Sequence, residues 1–154
     1  MSTTAATSVT DMIIRRASSA DADDVFALIG QLQQRVEADR AAFDVAFRES
    51  LDDGDRSVLL VAEADGGVVG YVLMTVARLL YTRDDAAQIQ ELVVDARVQG
   101  HGVGSRLVSA VEDICLQRGL EQLTVASSRS PAFYDRLDYR STADYLKKVF
   151  RVDG

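Results

Sequence analysis

The spacing of apolar residues changes repeatedly along this chain, and each change marks an element. Ile13-Ile14-Arg15-Arg16, within Met12 to Arg16, has the character of a strand. Ser18 and Ser19 follow as helix-capping types, and Asp21, Asp23 and Asp24 suit a first helical turn because carboxylates favour the positive end of the macrodipole. Val25, Leu28, Ile29 and Leu32 then recur at threes and fours, the buried stripe of a first helix. After a polar stretch from Gln33 to Arg40, the residues Ala42, Phe43, Ala46, Phe47 and Leu51 predict a second helix closing near Asp52-Asp53-Gly54. Ser57 to Ala64 and Val68 to Ala77 are near-continuous apolar runs around Asp65-Gly66-Gly67, which predicts a hairpin of two central strands. A polar loop, Arg78 to Ala86, comes next.

From Gln88 to Arg106 the chain reads Q-I-Q-E-L-V-V-D-A-R-V-Q-G-H-G-V-G-S-R. It begins as a strand carrying Ile89, Leu92, Val93 and Val94 and breaks into glycines at positions 100, 102 and 104. Val103, Leu107, Val111, Ile114 and Cys115 recur at helical spacing, so a helix starts within the glycines and runs to about Arg118, with Gly119 as its stop. Gln122 to Ala126 predicts a further strand, and Pro131 opens a short helix where its missing N–H costs little. Tyr139 to Arg140 and Tyr145 to Arg151 predict a closing hairpin. The fold class expected is α/β (α+β), a mixed, mostly antiparallel sheet flanked by about four helices in the order βααβββαβαββ.

Composition narrows the picture. With 154 residues and 47% hydrophobic content, the chain suffices for one well-cored domain, placed at residues 12–154 behind a leader, residues 1–11, that lacks periodicity and reads as disordered. The net charge of −7 argues against nucleic acid as a partner and is compatible with a cationic substrate. A single cysteine excludes an intramolecular disulfide, and a single histidine makes a histidine-based zinc site improbable, so no metal is expected. Cys115 falls on the apolar face of its helix and reads as a core residue. No segment approaches the ~20 apolar residues needed to cross a bilayer, so the expectation is a cytoplasmic protein without a membrane partner.

The glycine turn carries the chemistry. The first amides of a helix lack intrahelical partners and point outward at the positive end of its dipole, so an anion fits there. Glycines let a phosphate approach those amides, and Arg97 and Arg106 flank the turn. A Walker loop would end in Gly-Lys-Ser/Thr, which is missing, and a dinucleotide fingerprint wants glycine or alanine where Ser105 stands. What remains is Arg97-x-x-Gly100-x-Gly102, which resembles the Q/R-x-x-G-x-G/A acyl-CoA signature of the GNAT superfamily of N-acyltransferases. A second stretch, Ser130-Pro131-Ala132-Phe133-Tyr134-Asp135-Arg136-Leu137-Asp138-Tyr139, is similar to that family's A-x-x-F-Y-x-x-x-G-F/Y segment. Asp138 stands where the family has glycine, and Arg129 where it often has asparagine. The likeness covers roughly residues 12–150 and agrees with the element order above.

The resemblance implies transfer of an acetyl group from acetyl-CoA, the cosubstrate, to a primary amine of a small molecule or peptide by direct attack in a ternary complex; it leaves a homodimer open. It implies that the pantetheine arm lies between two parallel, splayed strands and pairs with backbone at Leu92, Val93 and Val94. The phosphates would meet Arg97, Val98, Gln99, Gly100, His101, Gly102, Val103, Gly104 and Ser105, with Arg129 near the arm. An alkyl amine of pKa near ~10.4 costs roughly 4 to 5 kcal/mol to deprotonate at neutral pH, so a base is useful, and Glu91 is the candidate. Gln90 does not ionise and, by strand alternation, is expected on the other face. Tyr134 lies where the family carries the acid that protonates the leaving thiolate, and an amide near Val93 or Val94 would meet the oxyanion. In the family the first helix pair and its connection wall the acceptor site, which makes Arg35, Glu37, Asp39 and Arg40 candidates for substrate contact, while each taken alone reads as part of a solvated charged loop. A non-catalytic acyl-CoA-binding regulatory domain, or a nucleotide-binding module using the glycine turn alone, would carry some of the same features.

Overall fold

The structure, a computed structural model, describes residues 11–32, 38–127 and 131–150. The expected leader, apart from Asp11, lies outside them, as do Arg35, Glu37 and Arg129. The described elements are β1 (Ile13–Arg16), α1 (Ala22–Ile29), α2 (Arg40–Asp52), β2 (Ser57–Ala64), β3 (Gly67–Ala77), β4 (Ala86–Val94), α3 (Val103–Arg118), β5 (Leu123–Val125) and α4 (Pro131–Arg136). The five strands lie in the sheet in chain order. The first four pair antiparallel, and β5 joins β4 in parallel after the α3 crossover.

The apolar run of β2 serves two faces. Val58, Leu60, Ala62 and Ala64 pack with Val72 and Met74 of β3 against Val103, Leu107, Val108 and Val111 of α3. Leu59 and Val61 point the other way, into a second core with Val25 and Leu28 of α1 and Phe47 of α2. Burial on both faces explains why these strands show no polar alternation. The β2–β3 turn uses Asp65 (φ 52°) and Gly66 (φ 79°), the left-handed pair a two-residue hairpin requires.

Two charge networks fix the first helices. The Arg15 guanidinium donates to both oxygens of Asp21, at 2.8 and 2.9 Å, and to Glu63 Oε1 at 2.7 Å. The Ser18 amide also donates to the Asp21 carboxylate, at 2.8 Å. The Arg40 guanidinium spans Asp23 and Asp44 and covers the rings of Phe26 and Phe43 at 5.1 and 5.7 Å. Asp39 caps α2 by accepting from the Ala41 amide. Arg40 and Asp39, expected as substrate contacts, therefore hold α1 to α2 and start α2.

The expected closing hairpin, Tyr139 to Arg140 with Tyr145 to Arg151, does not form among the described residues, and Arg151 lies outside them. Among the described residues no strand follows α4, and Tyr145, Leu146, Val149 and Phe150 are exposed. The order Tyr-Leu-Lys-Lys-Val-Phe pairs apolar with apolar and charge with charge, so neither face of an extended chain would be apolar throughout. The neighbouring sheet edge, three-residue β5, offers little ladder to extend.

Asp21 carries a stability prediction. The Arg15 guanidinium holds its carboxyl below the usual carboxylate range, against the opposing effect of burial. A carboxylate with a lowered native pKa stabilises the fold in full above its ordinary value, about 4, and the contribution is lost as pH falls through the native value. Asp21→Ala is expected to lower the unfolding free energy by about 2 kcal/mol at pH 7 in urea titrations, since it strands part of Arg15. The gap from wild type should close as the pH drops below about 4.

Candidate active site

The site is built where β4 leaves β5. Their ladder consists of Ala87 with Leu123, Gln88 with Thr124 and Ile89 with Val125, and stops there among the described residues. At the next residue β4 also changes register against β3: Leu73 pairs with Glu91 and Met74 with Ile89, so Gln90 is a bulged extra residue. A bulge sets two residues against one on the partner strand and shifts the alternation beyond it. Ile89 faces α3, and Leu92 and Val94 face α3 again, while Val93 enters the core under α1 and α2.

This corrects the expected orientation of Gln90. Its Nε2 donates to Thr75 Oγ1 at 2.9 Å, and Glu91 Oε1 accepts from the hydroxyl of Tyr71 at 2.6 Å. Thr75 and Tyr71 alternate with the α3-facing residues Val72, Met74 and Val76, so they lie on the α1–α2 face. Gln90 and Glu91 therefore share that face. Tyr71 is 1% exposed, and burial first, then the Glu91 charge and hydrogen bond, push its phenol up.

Tyr134 approaches from the opposite face. It sits on α4, packed against the α3 core with Leu92 and Val94, and its ring meets Phe133 and Tyr139 edge-on at 4.9 and 5.6 Å. Burial pushes its phenol up. Asp138 takes the left-handed conformation (φ 68°), so the turn is kept without the family's glycine. The Tyr139 amide then bonds the Tyr134 carbonyl, and the Tyr139 hydroxyl donates to Glu112 of α3 at 2.7 Å.

The glycine turn lies at the end of β4. Asp95, buried, accepts from the Arg97 amide and from its guanidinium, with Nη2 at 2.6 Å, and Arg97 holds that carboxyl below the usual range. The Arg97 side chain is otherwise 83% exposed. Val98 and Val103 are core residues, so they present backbone alone to the turn. Gln99 Nε2 donates to the Val94 carbonyl, and His101 Nδ1, exposed on the turn, lies 3.1 Å from the Val98 carbonyl. Gly100 and Gly102 both have φ of +85°. Gly104 follows Val103 in the first turn of α3, where a Cβ would come within 3.3 Å of the Phe133 ring, and Ser105 and the exposed Arg106 complete that turn. No side chain caps α3, whose first turn opens at Gly102. Cys115 lies in the α3 core against Met74 Sδ, its thiol pushed up by burial, away from this region.

Two parallel strands whose ladder ends at Ile89 and Val125, with a glycine turn and helix N-terminus beyond β4, have the form expected of an acyltransferase. Comparison with known proteins agrees: the model of the Acetyltransferase (GNAT) family matches residues 24–139. The chain belongs to this family and is an acyltransferase; the family uses acetyl-CoA as cosubstrate and an amine as acceptor. It is 33% identical over 133 residues to an aminoalkylphosphonate N-acetyltransferase of Salmonella typhimurium, covering 84% of this chain and 85% of that one. A glucosamine 6-phosphate N-acetyltransferase of Arabidopsis thaliana is 26% identical over 127 residues, 80% of this chain and 85% of its own. The crystal structure of an Arabidopsis thaliana glucosamine-6-phosphate N-acetyltransferase superposes with a TM-score of 0.80 at 24% identity, over 91% of this chain and 99% of the other, and shares the fold. No helix among the described residues is long and apolar enough to cross a membrane.

Two features escaped the sequence reading: the Gln90 bulge, which leaves no composition signal, and Tyr71. A tyrosine inside an otherwise apolar strand does signal a buried hydroxyl needing a partner, but the partner follows from the shifted register. The turn itself can be tested. Gly102 and Gly119 both have positive φ, and a Cβ at either meets nothing within 4 Å among the described residues. Gly102→Ala and Gly119→Ala should each destabilise the fold by about 1 to 2 kcal/mol. Calorimetry should find weaker coenzyme A binding for Gly102→Ala alone; equal affinity in both variants would remove the phosphates from this turn.

Proposed function

We propose that this acyltransferase moves an acetyl group from acetyl-CoA to a primary amine by direct attack in a ternary complex. The single observation that carries this reading is the stretch of β4 past its last β5 pairing, Ile89 with Val125, where Glu91 lies on one face of the sheet and Tyr134 packs on the other. In it the thioester lies along the β4 edge at Leu92, Val93 and Val94, and the pyrophosphate rests on the turn from Arg97 to Ser105. The amine enters on the α1–α2 face, where Glu91 takes its proton directly or through a water as nitrogen attacks the carbonyl carbon. A backbone amide near Val93 or Val94 donates to the oxyanion. As the tetrahedral intermediate collapses, the C–S bond breaks and Tyr134 protonates the departing sulfur. A phenol held above its ordinary range remains protonated at neutral pH, as that role requires.

Thiol release from acetyl-CoA, measured with a panel of amines, tests the reaction. The panel comprises an aminoalkylphosphonate, glucosamine 6-phosphate, an aminoglycoside, a polyamine, an amino acid and a peptide N-terminus. The first two are the acceptors named for its relatives and head the panel for that reason. Amine-dependent release with at least one of them is expected, and release no faster than hydrolysis with all of them would overturn the reading.

Glu91→Gln should lower kcat/KM most at low pH, where deprotonating the amine costs most; superimposable pH profiles would exclude Glu91 as the base. Tyr134→Phe keeps the ring and its packing, so acetyl-CoA affinity should hold while kcat falls ~10²–10⁴-fold, roughly 3 to 5 kcal/mol of barrier. Wild-type turnover in that variant would return Tyr134 to a packing role.

A further inference from the structure

We infer that Tyr71 is a positioning residue for acetyl transfer, its buried hydroxyl fixing the Glu91 carboxylate toward the acceptor through Oε1 and leaving Oε2 for the amine. This rests on the reading of Glu91 as the base. Tyr71 lies on β3 opposite Val93, so Glu91 is its diagonal neighbour across the β3–β4 ladder, within reach of a long aromatic side chain. The contact is short, 2.6 Å, as a hydroxyl donating to a carboxylate should be.

Each partner constrains the other. The Tyr71 ring sits in the apolar core with Val25, Leu28, Val61 and Val93, where its hydroxyl, if unpartnered, would stay desolvated without compensation. Glu91 is half-buried, and a glutamate side chain has three rotatable bonds. A rigid phenol anchored in the core selects one of those rotamers. The tyrosine keeps its own proton throughout the working pH range, since burial and the neighbouring carboxylate both oppose its ionisation. It therefore acts as a fixed donor and does not compete with Glu91 for the amine proton. Removing its hydroxyl frees the carboxylate to rotate, and a misplaced base loses rate even when every reacting group is present.

The test is a double-mutant cycle of Tyr71→Phe and Glu91→Gln, assayed with acetyl-CoA and the fastest amine of the panel above. Tyr71→Phe should lower kcat about 10-fold with the KM for acetyl-CoA within about 2-fold of wild type. In the Glu91→Gln background the same change should alter kcat less than about 2-fold, because the group it positions is gone. Thermal unfolding of all four proteins shows that the rates come from folded enzyme. Wild-type kcat in Tyr71→Phe, or losses that multiply in the double variant, would overturn the inference. If Glu91→Gln alone leaves kcat/KM unchanged at every pH, the reading of Glu91 fails instead, which separates the two outcomes.

Discussion

The extra residue at Gln90 is the constraint on which the rest depends. A strand held between two neighbours stays regular only while both ladders count alike, and here the β3 ladder gains a residue at the point where the β5 ladder ends. A bulge of this kind bends a strand and raises its twist, and the β5 ladder ends at Ile89, the residue before it. It also shifts the phase of the side chains. Had alternation continued from Ile89, Glu91 would face the α3 core; with the bulge it reaches the hydroxyl of Tyr71 on the other side. One inserted residue thus turns a carboxylate from the α3 face of the sheet to the α1–α2 face.

The surrounding packing keeps that geometry in place. A Cβ at Gly70 would meet Val103 Cγ1 and the Val93 carbonyl at 3.1 Å, so its absence lets the first turn of α3 seat directly on β3 beside the bulged strand. Gly104 allows the same closeness to Phe133, which ties α4 and its Tyr134 to the start of α3. Asp95 bridges the end of β4 to Arg97. On the opposite face, Arg15 with Asp21 anchors the entry to α1, and Arg40 with Asp23 ties α2 to α1. Most of these contacts join residues near a strand end or a helix start, where backbone groups would otherwise lack partners.

Sequence periodicity was enough for most of the elements. The four antiparallel strands, the helix beginning at Val103 and ending before Gly119, and the helix opened by Pro131 all follow from spacing, turn residues and caps, because each is encoded within a dozen neighbouring positions. The glycine turn was legible for the same reason: it needs left-handed backbone, and Gly100 and Gly102 supply it locally. The two family motifs carried the class.

Tertiary structure alone decided how those pieces face one another. The β4 bulge has no local signature, since any residue can occupy it and only the register against β3 reveals it. For that reason alternation misplaced Gln90, and the partnership of Tyr71 with Glu91, 20 residues apart, stayed hidden. The closing strands failed for a related cause: Tyr145 to Phe150 is apolar enough to read as a strand, but a strand exists only against an edge that accepts it. Arg40 and Asp39, candidates for substrate contact by sequence, find partners in the fold: Arg40 pairs with Asp23 of α1, and Asp39 caps its own helix at Ala41. The sequence determined which elements form and which residue types carry the chemistry; the fold decided which side of the sheet each reaches, because orientation depends on pairing between segments far apart in the chain.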